Sequence, residues 1–291
     1  MPSLRVGWIG LGRIGAPMAA RVLAAGWPLM LWARRAREAA VADVAAPLVE
    51  RGAVLAAEVN ELARQCDIVC TAVTGPADVA ALHAQLMPAA RAGTLFIDFS
   101  TATPATAEAA VALARKHGHA TVDAPVTGGV AGAERGTLTI LAGGDEAALQ
   151  RAQPLLAAFS QRVVACGKAG SGYRTKLVNQ TLVAGVLMGL ADGARLARTA
   201  GLDAATLLPA LAGGTAASFL LESYGPRMLS PAGHTGAVTF TLALMLKDLQ
   251  LARAEAQSLD LPAPLLDAAI DAVVAAQQRH GAEAGVQMLA H

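Results

Sequence analysis

The stretch "GSGYRTKLVNQ" (170–180) sets Lys176, Asn179 and Gln180 three and four positions apart, on one face of the helix that their spacing predicts. The next residues, "TLVAGVLMGLA", are almost wholly apolar. A lysine at the head of a buried helix is expected to lose water, and desolvation lowers an ammonium's pKa toward neutrality. Such an amine can give a proton to a carbonyl oxygen and take it back. The two amides beside it can orient the amine or hold hydroxyl groups. The plainer alternative is a helix-start lysine whose stem packs while its tip reaches water.

A second group of residues is built for phosphate. "GWIGLGRIGAPM" spaces Gly10, Gly12 and Gly15 as G-x-G-x-x-G, with Leu11, Arg13 and Ile14 between them. The loop follows a strand pattern and opens a helix pattern. The first glycine permits the turn, the second lets a pyrophosphate approach, and the third lets helix pack on strand. The helix N-terminus attracts the phosphates. The next strand, "PLMLWA", runs into "RRAR". Ala33 stands where an NAD-binding unit would place a carboxylate for the ribose, and Arg34 and Arg35 follow. Two guanidiniums with no competing carboxylate suit a 2′-phosphate, so NADP is expected, with NAD less favoured. Two arginines that merely face solvent would read the same way.

The elements that must position these groups alternate in the first half. "LRVGWIG", "PLMLWA", "DIVCTAV", "GTLFIDF" and "HATVDAP" are apolar runs of strand length, separated by helix-like segments. Strands near 136–144 and 161–167 complete the set. This pattern predicts a doubly wound, mostly parallel sheet of Rossmann type. After Gly172 the strands stop. Helices are expected over 173–200, 203–212, 216–229, 239–258 and 262–279, giving an all-α C-terminal domain led by a long central helix. The division is expected at 165/166.

Composition narrows the partners. The chain has 291 residues, 54% of them hydrophobic, and a formal net charge of +1, so neither nucleic acid nor an anionic membrane is favoured. The uninterrupted apolar runs are shorter than the roughly 20 residues a membrane span needs. The N-terminus enters a strand pattern at once, with no leader signature. Three cysteines, Cys66, Cys70 and Cys166, form no disulfide framework and fit reduced thiols in a cytoplasmic protein. Six scattered histidines show no ligand spacing, so no metal site is expected.

Three more motifs join the glycine loop: "DAPVTGG" (123–129), "GSGYRTKLVNQ" (170–180) and "KDLQLA" (247–252). In order and spacing the four resemble the β-hydroxyacid dehydrogenase family, which includes 3-hydroxyisobutyrate dehydrogenase and tartronate semialdehyde reductase. The resemblance implies an NAD(P)-dependent oxidoreductase of small β-hydroxy acids, a carboxylate substrate and a homodimer or homotetramer. It makes Lys176 the catalytic acid and base. It places Thr127, Gly128 and Gly129 on the substrate carboxylate, where glycine N–H groups can also turn toward a small anion on physical grounds. Thr127 replaces the serine of many members. Gln180 replaces the asparagine common among relatives, a pattern closer to tartronate semialdehyde reductase. Asn179, Gln180 and Lys247 line the substrate pocket by the same resemblance, Lys247 reaching toward the cofactor too; a local ion pair of Lys247 with Asp248 is the alternative. Ser100 and Thr101 resemble the contact with the nicotinamide end, although a helix cap for "TPATAEAAVA" would serve equally. Val73 and Thr74 are weaker cofactor contacts. Ser218, Phe219 and Tyr224 are pocket candidates. Two rivals remain open: an imine reductase on the same fold, against which Lys176 counts, and a non-catalytic NADP-binding regulatory protein.

Overall fold

The computed structural model describes residues 4–33, 39–230 and 237–291. The chain divides into two compact units, Met1–Lys176 and Leu177–His291.

Among the described residues the first unit is a nine-stranded sheet with helices. In order come β1 (Val6–Ile9), α1 (Gly15–Ala24), β2 (Leu29–Trp32), α2 (Ala39–Glu50), β3 (Val54–Leu55), α3 (Val59–Gln65), β4 (Ile68–Thr71), α4 (Pro76–Leu86), β5 (Leu95–Asp98) and α5 (Pro104–His117). Then follow β6 (Ala120–Asp123), β7 (Val126–Thr127), α6 (Gly129–Arg135), β8 (Leu138–Gly144), α7 (Glu146–Leu156) and β9 (Ser160–Gly167). The strand order is β3-β2-β1-β4-β5-β6-β8-β7, with β9 on β8. From β3 to β6 every pairing is parallel; β8 runs antiparallel to β6 and β7. Alternate residues explain why the central strands read as unbroken apolar runs. Val6, Trp8, Leu31, Ile68 and Ile97 enter one core, while Ile9, Met30, Val69 and Phe96 enter the core on the opposite face. Trp8 stacks on Phe99 at 5.4 Å between ring centres, and Phe159 meets both edge-on.

The helix α8 (Ser171–Thr199) begins in the first unit and continues into the second. The second unit adds α9 (Ala204–Ala212), α10 (Phe219–Leu229), α11 (Leu242–Ser258) and α12 (Pro264–His280). The expected all-α half is therefore present. Ala184, Leu187, Ala191, Ala194 and Ala197 of α8 pack with Leu242, Met245, Leu249, Ala269 and Val273. Asp203, Ser218 and Thr241 cap α9, α10 and α11 through their side chains. The Arg198 guanidinium donates to the carbonyls of Met228 and Ala290, tying α8 to the chain end.

Two differences from the sequence reading have physical causes. The division falls at 176/177 rather than 165/166, because the first turn of α8 is hydrogen-bonded to strand ends of the first unit. By length and composition α8 would also suffice to cross a membrane, with a mean hydropathy of 1.3 over its best 18 residues. Counting uninterrupted apolar residues missed this, since glycines and isolated polar residues do not stop a helix. A core helix of a soluble domain passes the same test, and one face of α8 is committed to the core just described.

Candidate active site

The glycine loop lies at the carboxyl end of β1, and its three glycines have different reasons to be there. Gly10 has φ +100°, and a Cβ on it would meet the Ala72 carbonyl oxygen at 2.1 Å. A Cβ on Gly15 would meet the Gly10 oxygen at 2.1 Å, so the start of α1 presses on the loop. Around Gly12, no described protein atom lies within 4 Å of where a Cβ would stand. The fold needs the first and third glycines; the second stands open, which suits close approach of a ligand to the backbone. The residue before α1, Ile14, offers no side-chain cap, which leaves this N-terminus suited to an anion. These residues fit a dinucleotide pyrophosphate. Ala33 directly follows the end of β2, but Arg34 and Arg35 lie outside the described residues.

At the ends of β4 and β5 a buried polar network replaces a simple pair of loops. Asp98, the last residue of β5, is 2% exposed. It accepts from the Thr71 hydroxyl, from the Ser100 N–H at 2.8 Å, from the Ser100 hydroxyl at 3.1 Å and from the Tyr173 hydroxyl at 2.8 Å. Ser100 Oγ in turn accepts from the Val73 N–H at 2.9 Å. Ser100 thus shapes this end of the sheet, and its hydroxyl is engaged with protein groups. It does not cap the following helix: Thr103 does, its Oγ1 accepting from the Thr106 N–H. Thr101 is half-buried and Thr74 exposed.

Asp123 opens the "DAPVTGG" segment from the end of β6. Its carboxylate accepts from the Gly170 N–H at 2.8 Å and the Tyr173 N–H at 3.0 Å, so it caps α8 across 50 residues of sequence. Burial pushes its pKa up, and the N–H groups pull against that shift. The contact is close: a Cβ on Gly172 would meet the Leu141 oxygen at 2.4 Å and the Asp123 oxygen at 2.6 Å. Farther along the same segment, Thr127 pairs with Thr139 in β8. Gly128 and Gly129 take φ +125° and +67°, a turn reserved for glycine, at the start of α6.

Lys176 follows Tyr173 by three residues on α8 and is half-buried. Asn179 is also half-buried, and Gln180 is 6% exposed. The Asn179 amide donates to Gln180 Oε1 at 2.9 Å, and Gln180 Nε2 donates to Asp248 Oδ2 at 2.6 Å. Lys247 Nζ lies 2.9 Å from the other oxygen of Asp248, so the local ion pair forms. Among the pocket candidates, Ser218 caps α10, Phe219 is exposed, and the Tyr224 hydroxyl lies 3.2 Å from Thr239 Oγ1. No group of three or more His, Cys, Asp or Glu side chains could hold a metal among the described residues.

Comparison with known proteins gives this arrangement a family. Residues 5–167 match the profile of the NAD binding domain of 6-phosphogluconate dehydrogenase. Residues 170–291 match that described as NAD-binding of NADP-dependent 3-hydroxyisobutyrate dehydrogenase. The chain belongs to the β-hydroxyacid dehydrogenase family. A solved 3-hydroxyisobutyrate dehydrogenase from Mycobacterium tuberculosis, described with L-serine, is 31% identical, with a TM-score of 0.86 over 99% of this chain and 98% of that one. The NAD-dependent L-serine dehydrogenase of Pseudomonas aeruginosa is 34% identical over 87% of this chain and 86% of its own. An imine reductase from Pseudomonas sp., at 20% identity and a TM-score of 0.67 over 99% and 98% of the two chains, shares the fold. A β-hydroxyacid dehydrogenase is an oxidoreductase that acts on hydroxyl groups with NAD(P), and this chain is one.

Asp98, Asp123 and Tyr173 were not singled out by sequence reasoning. Asp123 and Tyr173 stood inside quoted motifs, and Asp98 ends the strand before Ser100. The one available signal was a carboxylate ending two successive apolar strand runs, where burial demands partners.

Proposed function

We propose that the protein interconverts a small β-hydroxy acid and its semialdehyde with NADP(H), Lys176 serving as the general acid and base. When bound, NADP(H) would supply or accept the hydride at the carbinol carbon. In reduction, Lys176 Nζ gives a proton to the carbonyl oxygen; in oxidation it takes the hydroxyl proton back. Thr127 and the N–H groups of Gly128 and Gly129 bind the substrate carboxylate. Val73, Thr74, Ser100 and Thr101 would meet the nicotinamide end of the bound coenzyme, and Gly10 to Gly15 would hold its pyrophosphate.

The observation that carries this reading is the fastening of the turn before Lys176 to the carboxyl ends of β5 and β6. In open α/β sheets, ligands bind at those ends. The relatives' names support the substrate class: 3-hydroxyisobutyrate and L-serine both carry a hydroxyl on the carbon β to a carboxylate. The NADP assignment rests on Ala33, Arg34 and Arg35, with a specificity constant for NADPH well above that for NADH as its expected outcome. A strong NADH preference overturns it.

Lys176→Ala is expected to lower kcat by about 10²–10⁴-fold, the range for loss of a general acid, while NADPH affinity stays within about twofold. Retention of most activity would refute the assigned role. Assaying a cyclic imine beside 3-hydroxyisobutyrate, L-serine and tartronate semialdehyde tests the imine reductase alternative; turnover of the imine alone would favour it. We also propose a homodimer or homotetramer built on α8, whose Val178, Leu182 and Leu196 expose apolar surface. Light scattering should give an integral multiple of the 29.4 kDa chain, and a monomer refutes it.

A further inference from the structure

Asp98 draws three separate segments onto one carboxylate. Thr71 brings the end of β4, Ser100 brings the loop after β5, and Tyr173 brings the first turn of α8. Ser100 passes the tie on to Val73 in the loop after β4. Tyr173 is 1% exposed and packs with Ala102 and Ala107, where a phenylalanine would bury as much carbon without a hydroxyl to satisfy. Burial and the neighbouring Asp98 push the tyrosine's pKa well up, so the phenol keeps its proton and remains a donor.

We propose that Tyr173 and Asp98 are positioning residues, a buried strut that sets the rotation of the α8 turn bearing Lys176 relative to the loops of Val73 and Ser100. The inference rests on the function proposed above, since those loops are the ones assigned to the nicotinamide end. Asp123 holds the same turn by its backbone N–H groups and so fixes where the helix starts. Tyr173, three residues before Lys176, fixes which way it faces. A proton donor displaced by about 1 Å from its reacting atom costs about a hundredfold in rate.

Tyr173→Phe in the full chain removes the strut and keeps the ring. Hydrogen exchange of the 170–180 segment, read without substrate or coenzyme, should quicken by about tenfold or more. Unchanged protection overturns the strut. With NADP and 3-hydroxyisobutyrate or L-serine, kcat should fall by about tenfold to a hundredfold with KM within about twofold. The deuterium isotope effect on kcat, measured with substrate labelled at the carbinol carbon, should rise above the wild-type value. That ratio is read per active molecule, so a fall in kcat with no rise in isotope effect signals lost protein and overturns the positioning role. Asp98→Asn should produce the same isotope effect, and adding Tyr173→Phe to it should bring little further loss in kcat; additive losses overturn the claim that the tyrosine acts through the carboxylate. A wild-type enzyme inert toward both hydroxy acids, yet showing the exchange change, refutes the proposed substrate class and leaves the strut standing.

Discussion

Gln180 was expected to hold substrate, and its amide is bonded to a buried carboxylate in its own helical unit. Replacing it tests what that bond does. Gln180→Leu deletes a 2.6 Å hydrogen bond to Asp248, whose side chain is 7% exposed and keeps Lys247 at 2.9 Å. A hydrogen bond to a charged group contributes about 1.5–3 kcal/mol, and a buried acceptor left without its donor loses the upper part of that range. The Asn179 amide loses its acceptor too, but it is half-buried and can find water. The buried leucine's own apolar transfer offsets part of this loss. The expected cost is about 1–2 kcal/mol, or an apparent Tm lower by about 3 °C or more. Asp248→Leu alone strands the Gln180 amide and should cost about 1–3 kcal/mol. The double variant strands neither partner, so its loss should fall short of the sum by more than about 1 kcal/mol. Thermal melts of the four proteins, with KM for a hydroxy acid measured alongside, decide the matter. Near-neutral, additive single effects would refute the structural argument, and so would a large rise in KM with no change in Tm.

Gly12→Ala should fold with wild-type stability, since no described protein atom opposes its Cβ, while coenzyme binding measured by NADPH fluorescence weakens by about tenfold or more; Gly10→Ala should lose stability as well, because φ +100° and the Ala72 oxygen both oppose it. His83 lies 5.9 Å from the Phe96 ring centre, and among the described residues neither ring nitrogen has a hydrogen-bond partner. Burial lowers its pKa below the ordinary 6.5, so below pH 6.5 the unfolded chain takes up the proton before the folded one does. Stability should therefore fall as pH drops through that window, and His83→Leu should flatten the fall in Tm between about pH 7 and pH 5; an unchanged slope would assign the acid sensitivity elsewhere. Burial pushes the Cys66 thiol up to about 12 and raises Cys70 well above its ordinary value too, so a disulfide reagent at about pH 8 should modify Cys166 first in the native protein and all three thiols in urea. Rapid native reaction of Cys66 would contradict the burial.

The local rules carried much of this protein in its sequence. Gly10 and Gly15 were legible because a tight strand-to-helix turn leaves no room for a side chain at either end of one short loop. The central strands were legible because burial on both faces demands unbroken apolar runs, and α8 because its apolar residues recur at helical spacing over a longer stretch. The four motifs were legible as motifs for the same reason: each is a short segment. What tertiary structure alone decided is how those segments meet. Asp98 and Tyr173 are 75 positions apart, and Asp123 and Tyr173 are 50 apart. No periodicity relates them; only the folding of β5 and β6 beside the start of α8 brings them into contact. The same holds for Gln180, which finds Asp248 across 68 positions. A hydrogen bond depends on distance and angle between groups, and residue type carries neither until the backbone has closed.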